Sequence, residues 1–320
     1  MKPDKVSVIT SAFKSDAYLE TFFHSFLSQR VIESTELILN ISSPSSNELD
    51  IIRHFSALLP NFRLIVHHNR IPIYRAWNEC LSAATGEYIA IWNVDDIRTP
   101  ESIEKQIAKL DSSEAASVMG AFVITSKFGL LEGTLCKQIV QTHEDYFKGM
   151  FHGPFFMFRR SLLHVLKGFD EQFSVAADFD FSIRLASMGS VAYCEDVLGY
   201  YLDNRQGAST SRKSVQPIER DAILMRYGAV ELIEVSKLPS SLMFDFTSIH
   251  VEDETFPIES SLNGFKGIRL INSQNWKFRN FTKRKSFQNI LQDFFLRASL
   301  SVAYRSNRLI RYLRAKRLQA

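Results

Sequence analysis

Four short runs rich in β-branched and aliphatic residues, VSVIT (6–10), ELILNI (36–41), FRLIVHH (62–68) and EYIAIW (87–92), are each followed by a segment with helical apolar spacing. Leu19, Phe22, Phe23, Phe26 and Leu27 form one such face after the first run, and a weaker pattern covers 47–59 after the second. Trp77, Cys80, Leu81 and Ala84 follow the third, and Ile103, Ile107 and Leu110 the fourth. This alternation predicts an α/β fold whose mostly parallel sheet is flanked by helices on both faces. Ligands in such sheets sit beyond the C-terminal ends of the strands. The residues that end each run are therefore the first place to look for chemistry.

Further along come an apolar segment, SVMGAFVIT (117–125), the run FHGPFFMFRR (151–160), a turn at Gly168 and a helix starting near Asp178. That helix places Phe181, Leu185 and Met188 on one face and ends at Gly189. After VAYCE (191–195) the periodicity fades, and the expected division is a catalytic domain over 1–230 and an extension over 231–320. Charge supports a division: Trp276 to Ala320 carries twelve Lys and Arg against one acid, Asp293, although the whole chain is only +3. Apolar residues intermingle with that charge from Ser286 to Leu318, the pattern of a basic amphipathic helix. Two readings stand: attachment to an anionic membrane surface, or docking of a C-terminal helix on the acidic remainder. No nucleic-acid partner is expected, because no nucleic-acid-binding motif accompanies the charge.

The cysteines Cys80, Cys136 and Cys194 are odd in number and widely spaced, with no pair at metal-ligand spacing, and read as buried thiols of a reducing compartment. No run approaches the roughly 18 apolar residues that a membrane span needs. The expected location is cytoplasmic, with the tail making a peripheral association on the inner face of the membrane an open alternative.

Where the fourth run ends, Asn93-Val94-Asp95-Asp96 sets two carboxylates side by side on the expected ligand rim. Like charges repel, and a divalent cation such as Mg²⁺ or Mn²⁺ would relieve the repulsion. The plainer reading is a pair of solvated loop acids ahead of a helix that begins at Thr99-Pro100.

The stretch IPIYRAWNECLSAATGEYIAIWNVDDIRTPESIEKQI (71–107) resembles the nucleotide-sugar-dependent glycosyltransferases of family 2, which have a GT-A (Rossmann-like) fold. It is similar to their A-x-G-E-Y-I strand and Asp-x-Asp-like motif. GFDEQFSVAADFDFSIRLASMG (168–189) is similar to their G-x-F-D-E and E-D-x-D-L-x-L-R segments, and SVITSAFKSDAYLETFFHSFLSQ (7–29) to their first strand and nucleotide-facing loop. Together the matches span roughly 6–210.

The resemblance implies an inverting, metal-dependent transferase that moves a sugar from a nucleoside diphosphate sugar, a UDP-sugar first, to a hydroxyl of a glycan or lipid-linked acceptor in bacterial surface polysaccharide synthesis. It implies Asp95 as the ligand of Mn²⁺ or Mg²⁺, Asp96 near the donor sugar, and Asn93 facing the ribose or the metal shell. Asp178 would be the general base that takes the acceptor's proton, although an N-cap role would use the same carboxylate. Thr10, Ser11, Phe13, Ser42, Arg75 and Asn78 would contact the nucleotide, and His152 the acceptor, with a satisfied loop histidine as the alternative. Asp180 and Arg184, four apart, read as a structural ion pair. His67-His68 reads as structural, for want of a third ligand.

The sequence departs from the family pattern in three places. Ile41 and Ser42 stand where an acidic pair contacts the base, so backbone groups with Ser42 or Ser43 would hold the nucleotide; Asn93 replaces the first Asp of the metal motif; and Asn204, with Arg205 beside it, stands where many relatives carry a His. A sugar-phosphate nucleotidyltransferase would need a Gly-rich, Arg-containing loop after the first strand, and TSAFKSD lacks it. From another class, a catalytically silent sugar-nucleotide binder or a membrane-associated scaffold remains the alternative.

Overall fold

The computed structural model describes residues 5–138, 146, 152–203, 215–227 and 244–262. The four expected β-then-α units are β1 (Val6–Ala12) with α1 (Leu19–Leu27), β2 (Thr35–Ser42) with α2 (Ser46–Ser56), β3 (Phe62–His67) with α3 (Ile73–Ala83), and β4 (Tyr88–Ile91) with α4 (Ser102–Asp111). A two-residue strand, β5 (Ile97–Arg98), interrupts the last unit. Then follow β6 (Ser117–Thr125), β7 (Thr134–Cys136), β8 (Met157–Arg159), α5 (Leu163–Leu166), α6 (Ala177–Ser187), β9 (Val191–Leu202) and α7 (Gln216–Arg226). A separate antiparallel hairpin is made by β10 (Ser248–Val251) and β11 (Glu254–Pro257).

The main sheet runs β3-β2-β1-β4-β8-β6-β9-β5, with β7 on β6. Its first four strands are parallel, as the alternation predicts. The second half is mixed: β8 runs antiparallel to both β4 and β6, and β5 antiparallel to β9, while β6 and β9 are parallel. β2, covered on both faces, is buried at every residue, whereas the edge strand β3 exposes Arg63, Leu64 and Val66. Under α1, Phe22 and Phe26 pack against Trp92 at 5.2 and 5.8 Å between centroids, so the strand leading into the acidic turn is anchored from one side.

Local chemistry sets the element ends. The helical pattern over 47–59 becomes a helix over 46–56 because Ser45 and Glu48 form a capping box. Glu48 also accepts from the amide and hydroxyl of Ser15, tying α2 to the loop after β1. In the ATGEYI segment, Gly86 is required by closeness: a Cβ there would lie 2.5 Å from the Ser7 amide nitrogen. Beside it Glu36, 2% exposed, accepts from the Ser7 hydroxyl and from the Thr85 amide and hydroxyl. Burial alone would raise its pKa, but these bonds and Arg63 hold it below the usual carboxylate range.

Compact structure divides the chain into Met1–Ser273 and Gln274–Ala320. Within the first unit, the β10–β11 hairpin is bonded to the GFDE segment: the Glu171 amide donates to the His250 carbonyl at 2.8 Å and the His250 amide to Asp170 at 3.1 Å. The expected boundary at residue 230, the basic tail, Asn204 and Arg205 lie outside the described residues. All three cysteines are free thiols; burial raises Cys80 to about 12 and Cys194 to about 11. Cys136 departs from expectation, being only half-buried because β7 is a short outer strand. Among the described residues no helix is long and apolar enough to cross a membrane.

Candidate active site

The chain leaves β4 at Trp92, turns through Asn93–Asp96 and pairs at once with β9, Ile97 against Tyr200 and Arg98 against Gly199. This pairing separates the fates of the two adjacent acids. Asp96 is 1% exposed, with Oδ1 accepting from the Leu202 amide at 3.1 Å and Oδ2 from the Asn93 side chain at 3.1 Å. Burial and the neighbouring Asp95 push its pKa well up, against those two donors and the charge of Arg98. Arg98 lies fully inside, donating to Gln106 at 2.7 Å and to the Ile91 carbonyl at 2.9 Å, over the rings of Trp92 and Phe155. Asp95 is half-buried, meets no hydrogen bond from another side chain and forms no ion pair among the described residues. Burial raises its pKa as well.

On the facing side Asp178 is the second residue of α6, whose N-cap is Ala176. It therefore does not cap the helix in the way the sequence allowed. Its Oδ1 accepts from the Tyr74 hydroxyl at 3.1 Å and from the Phe179 amide at 2.9 Å, and among the described residues no hydrogen bond reaches Oδ2. Burial lifts its pKa, Tyr74 and the backbone pull it down, and the charge of Glu219 adds to the rise. A raised carboxylate with one open oxygen has the properties of a general base.

Tyr201, near the end of β9, lies within electrostatic reach of Asp95, Asp96 and Asp178. Burial raises its pKa first, followed by the charges of Asp96, Asp95 and Asp178, so all three carboxylates act on one phenol. A divalent cation fits here in one manner. Asp95 offers an uncommitted carboxylate, both Asp96 oxygens are already bonded, and no cluster of three His, Cys, Asp or Glu exists among the described residues. The remaining ligands would be donor phosphates and water, as Mg²⁺ and Mn²⁺ sites commonly have.

Residues 7–166 match the family model described as Glycosyl transferase family 2, half of the chain. The chain belongs to glycosyl transferase family 2. The putative glycosyltransferase EpsE of Bacillus subtilis is 31% identical over 169 residues, which is 52% of this chain and 60% of EpsE, so the match leaves two-fifths of that relative unspanned. Chondroitin synthase of Pasteurella multocida is 22% identical over 85% of this chain and 28% of the synthase. Among solved structures, S. aureus TarS 1-349 in complex with UDP-GlcNAc superposes with a TM-score of 0.58 at 18% identity, covering 73% of this chain and 69% of TarS 1-349. The mannosyltransferase PcManGT from Pyrobaculum calidifontis, in complex with GDP-Man and Mn²⁺, gives 0.55 at 19%, covering 71% and 66%. Both share the GT-A fold with this chain.

In this family 2 chain the expected nucleotide residues divide into two groups. Ser11, half-buried, accepts from Trp77 Nε1 at 3.1 Å, and Phe13 lies half-exposed beneath the Arg70 guanidinium, 4.5 Å from its ring centroid. Ser43, just beyond β2, donates to the His68 carbonyl at 3.1 Å. Asn93 is half-buried and bonded to Asp96, and Arg75 faces Glu79, Glu171 and Asp253 at 3.5 to 3.6 Å. The other group is internal. Thr10 is fully buried within β1, and Ser42, at the end of β2, is buried as well.

Three assignments change. Asn78 is 2% exposed and bonded to both the amide and the carbonyl of Phe169, so it braces the GFDE turn instead of facing a nucleotide. Asp96 joins the end of β4 to β9, and its burial at 1% exposure shields it from a donor sugar. His152, 1% exposed, lies between the hydroxyls of Ser117 at 3.0 Å and Ser182 at 2.6 Å, which makes it the satisfied loop histidine. Trp77 is core as expected, and His67 is held by Glu79 at 2.6 Å. The buried pair Asp180–Arg184 forms at 2.8 Å. Tyr74 and Tyr201 were not legible as site residues; the only sequence signal was their position at a helix start and a strand end.

Burial pushes the pKa of His152 down to about 3. Between that value and the ordinary unfolded pKa near 6.5, the unfolded chain binds a proton that the folded chain does not. Its contribution to stability therefore grows as pH rises through this window and is complete above it. Histidine-selective NMR is expected to show one ring, absent from His152→Asn, that does not titrate between pH 5 and 8; a midpoint near 6.5 would mean that the ring is exposed.

Proposed function

We propose that this chain is an inverting glycosyltransferase that moves a sugar from a nucleoside diphosphate sugar to a hydroxyl of a glycan or lipid-linked acceptor, in the synthesis of a bacterial surface polysaccharide. The observation that carries the reading is that Asp95, just beyond β4, and Asp178, in the first turn of α6, both lie within electrostatic reach of the Tyr201 phenol, and that among the described residues each keeps a carboxylate oxygen that no hydrogen bond from another side chain reaches. Departure of a diphosphate builds negative charge, and attack by a hydroxyl releases a proton. One reaction class needs both groups. Asp178 Oδ2 takes the acceptor proton as the hydroxyl oxygen attacks the anomeric carbon, and the bond to the diphosphate breaks on the opposite face. A single displacement inverts that centre. Tyr74 and the Phe179 amide orient Asp178 by binding its other oxygen.

Asp95 would hold Mn²⁺ or Mg²⁺, which when bound offsets the charge of the leaving diphosphate. Relatives named for polysaccharide synthesis, and neighbours solved with UDP-GlcNAc and GDP-Man, support a sugar-nucleotide donor. A UDP-sugar is the first donor to try. The proposed location is the cytoplasm, where such donors and reduced thiols coexist, with peripheral association on the inner face of the membrane as the alternative.

Thermal unfolding against UDP, GDP, dTDP and CDP, with and without Mn²⁺, tests the reading. At a hundred times its dissociation constant a ligand specific for the native state adds about 2.7 kcal/mol, and Asp95→Ala is expected to abolish the metal-dependent part of the rise. No response to any diphosphate would favour the scaffold alternative.

A further inference from the structure

Helix α7 contributes nothing to the strand-end rim, yet one of its buried side chains governs the segment that carries Asp178. Glu219 is 1% exposed; its Oε1 accepts from the amide and hydroxyl of Ser174 at 2.8 and 2.6 Å, and its Oε2 from the Val175 amide at 2.8 Å. It has no cationic partner among the described residues. A carboxylate buried on neutral donors alone is costly, so its presence calls for an explanation. The residues it holds lead through Ala176 directly into the first turn of α6.

Building on the assignment of Asp178 as base, we propose that Glu219 is a positioning residue: it fixes the Ser174–Ala176 approach so that Asp178 faces the acceptor, and its charge keeps Asp178 able to accept a proton. The groups around Asp178 support a specific role. Tyr74 from α3 donates to it, and Tyr201 from β9 lies within its electrostatic reach. Asp180, on the same helix, is neutralised by Arg184 and Arg226, each at 2.8 Å. Glu171, in the preceding loop, is held by Asn78 and faces Arg75. Arg220 of α7 is turned over the Phe179 ring, 5.8 Å from its centroid. Asp95 and Asp96 lie in the turn between β4 and β5. Glu219 is thus the carboxylate acting on Asp178 that has no counter-ion among the described residues. Burial is the largest influence on Asp178 and Tyr74, and Glu219 raises both.

The test uses the full chain with ¹³C-carboxyl-labelled aspartate, the Asp178 signal being assigned by its loss in Asp178→Asn. Glu219→Gln keeps an acceptor for Ser174 but removes the charge, and the Asp178 titration midpoint is expected to move to lower pH. Glu219→Asp keeps the charge on a shorter arm. It should leave the midpoint in place while lowering turnover with UDP-GlcNAc or GDP-Man, whichever is active, by on the order of 10²-fold, the cost of a misplaced catalytic group. If Glu219→Gln does not fold, Glu219→Asp alone decides. An unmoved midpoint in folded Glu219→Gln, or unchanged turnover in Glu219→Asp, overturns the proposal. Failure of the base assignment itself looks different: Asp178→Asn would then retain activity whatever Glu219 does.

Discussion

Asp178→Asn is expected to lower turnover by about 100- to 10,000-fold, the usual contribution of a positioned general base, while leaving donor binding nearly unchanged. The amide oxygen can still accept from Tyr74 and from the Phe179 amide, so the helix start is preserved. What disappears is the basic carboxylate oxygen that no hydrogen bond reaches among the described residues. The pH dependence follows from the same burial. The folded-state pKa of Asp178 lies above its unfolded value, so activity is expected to fall on acidification at a pH above the ordinary aspartate range. By linkage, ionising this carboxylate at neutral pH costs the folded state free energy. The thermal midpoint of Asp178→Asn should therefore equal or exceed that of the parent. Steady-state rates with the donor chosen by thermal shift, together with a melting curve, check both points; full turnover in the variant would transfer the base to another residue.

Arg226→Met is expected to be the most destabilising single change outside the strand core. Arg226, fully buried, pairs with Asp170 at 2.8 Å and Asp180 at 2.8 Å, and donates to the carbonyls of Asp245 and Ser248. Removing the cation leaves buried Asp170 without its counter-ion and Asp180 with Arg184 alone, and breaking such a buried pair costs about 3–5 kcal/mol. At roughly 2–4 °C per kcal/mol for a domain of this size, the melting midpoint should drop by about 10 °C. Burial favours protonation of Asp180, but Arg184, Arg226 and the Tyr227 hydroxyl outweigh it and hold the pKa below the ordinary value. Its contribution to stability is therefore present above an unfolded pKa of about 3.9 and is lost as pH falls through the folded value. The gap between parent and variant should narrow in acid, where these carboxylates can protonate. A gap independent of pH would show that the loss is one of packing around Phe173, over which the guanidinium also lies.

Residues close together in sequence made much of this molecule legible. The runs of β-branched and aliphatic residues and the helical patterns located the four parallel units because each strand and helix is a local object whose apolar character is written in consecutive residues. Asp180–Arg184 was readable for the same reason, being four apart on one helix. The mixed half of the sheet was not, since β8 is three residues long and β5 two, too short for any period to show. The capping box of Ser45 and Glu48 was present in the sequence, but Glu48 is also claimed by Ser15, thirty-three residues earlier.

The candidate site divides along the same line. Sequence alone determined that acids would lie beyond the fourth strand, and resemblance to the family singled out Asp95 and Asp178. Only the tertiary structure decided what each acid does. Asp95 and Asp96 are neighbours of identical type, and no local pattern distinguishes them; the pairing of β5 with β9 places the Leu202 amide against Asp96 and leaves Asp95 open. Asn78, Asp96 and His152 look functional in a linear reading because the resemblance to the family places them at the nucleotide, the donor sugar and the acceptor. In the fold their hydrogen-bonding capacity is taken up by Phe169, by Leu202 and Asn93, and by Ser117 and Ser182. A buried polar group must find its partner wherever the chain brings one, and those partners here lie as far as 106 residues away.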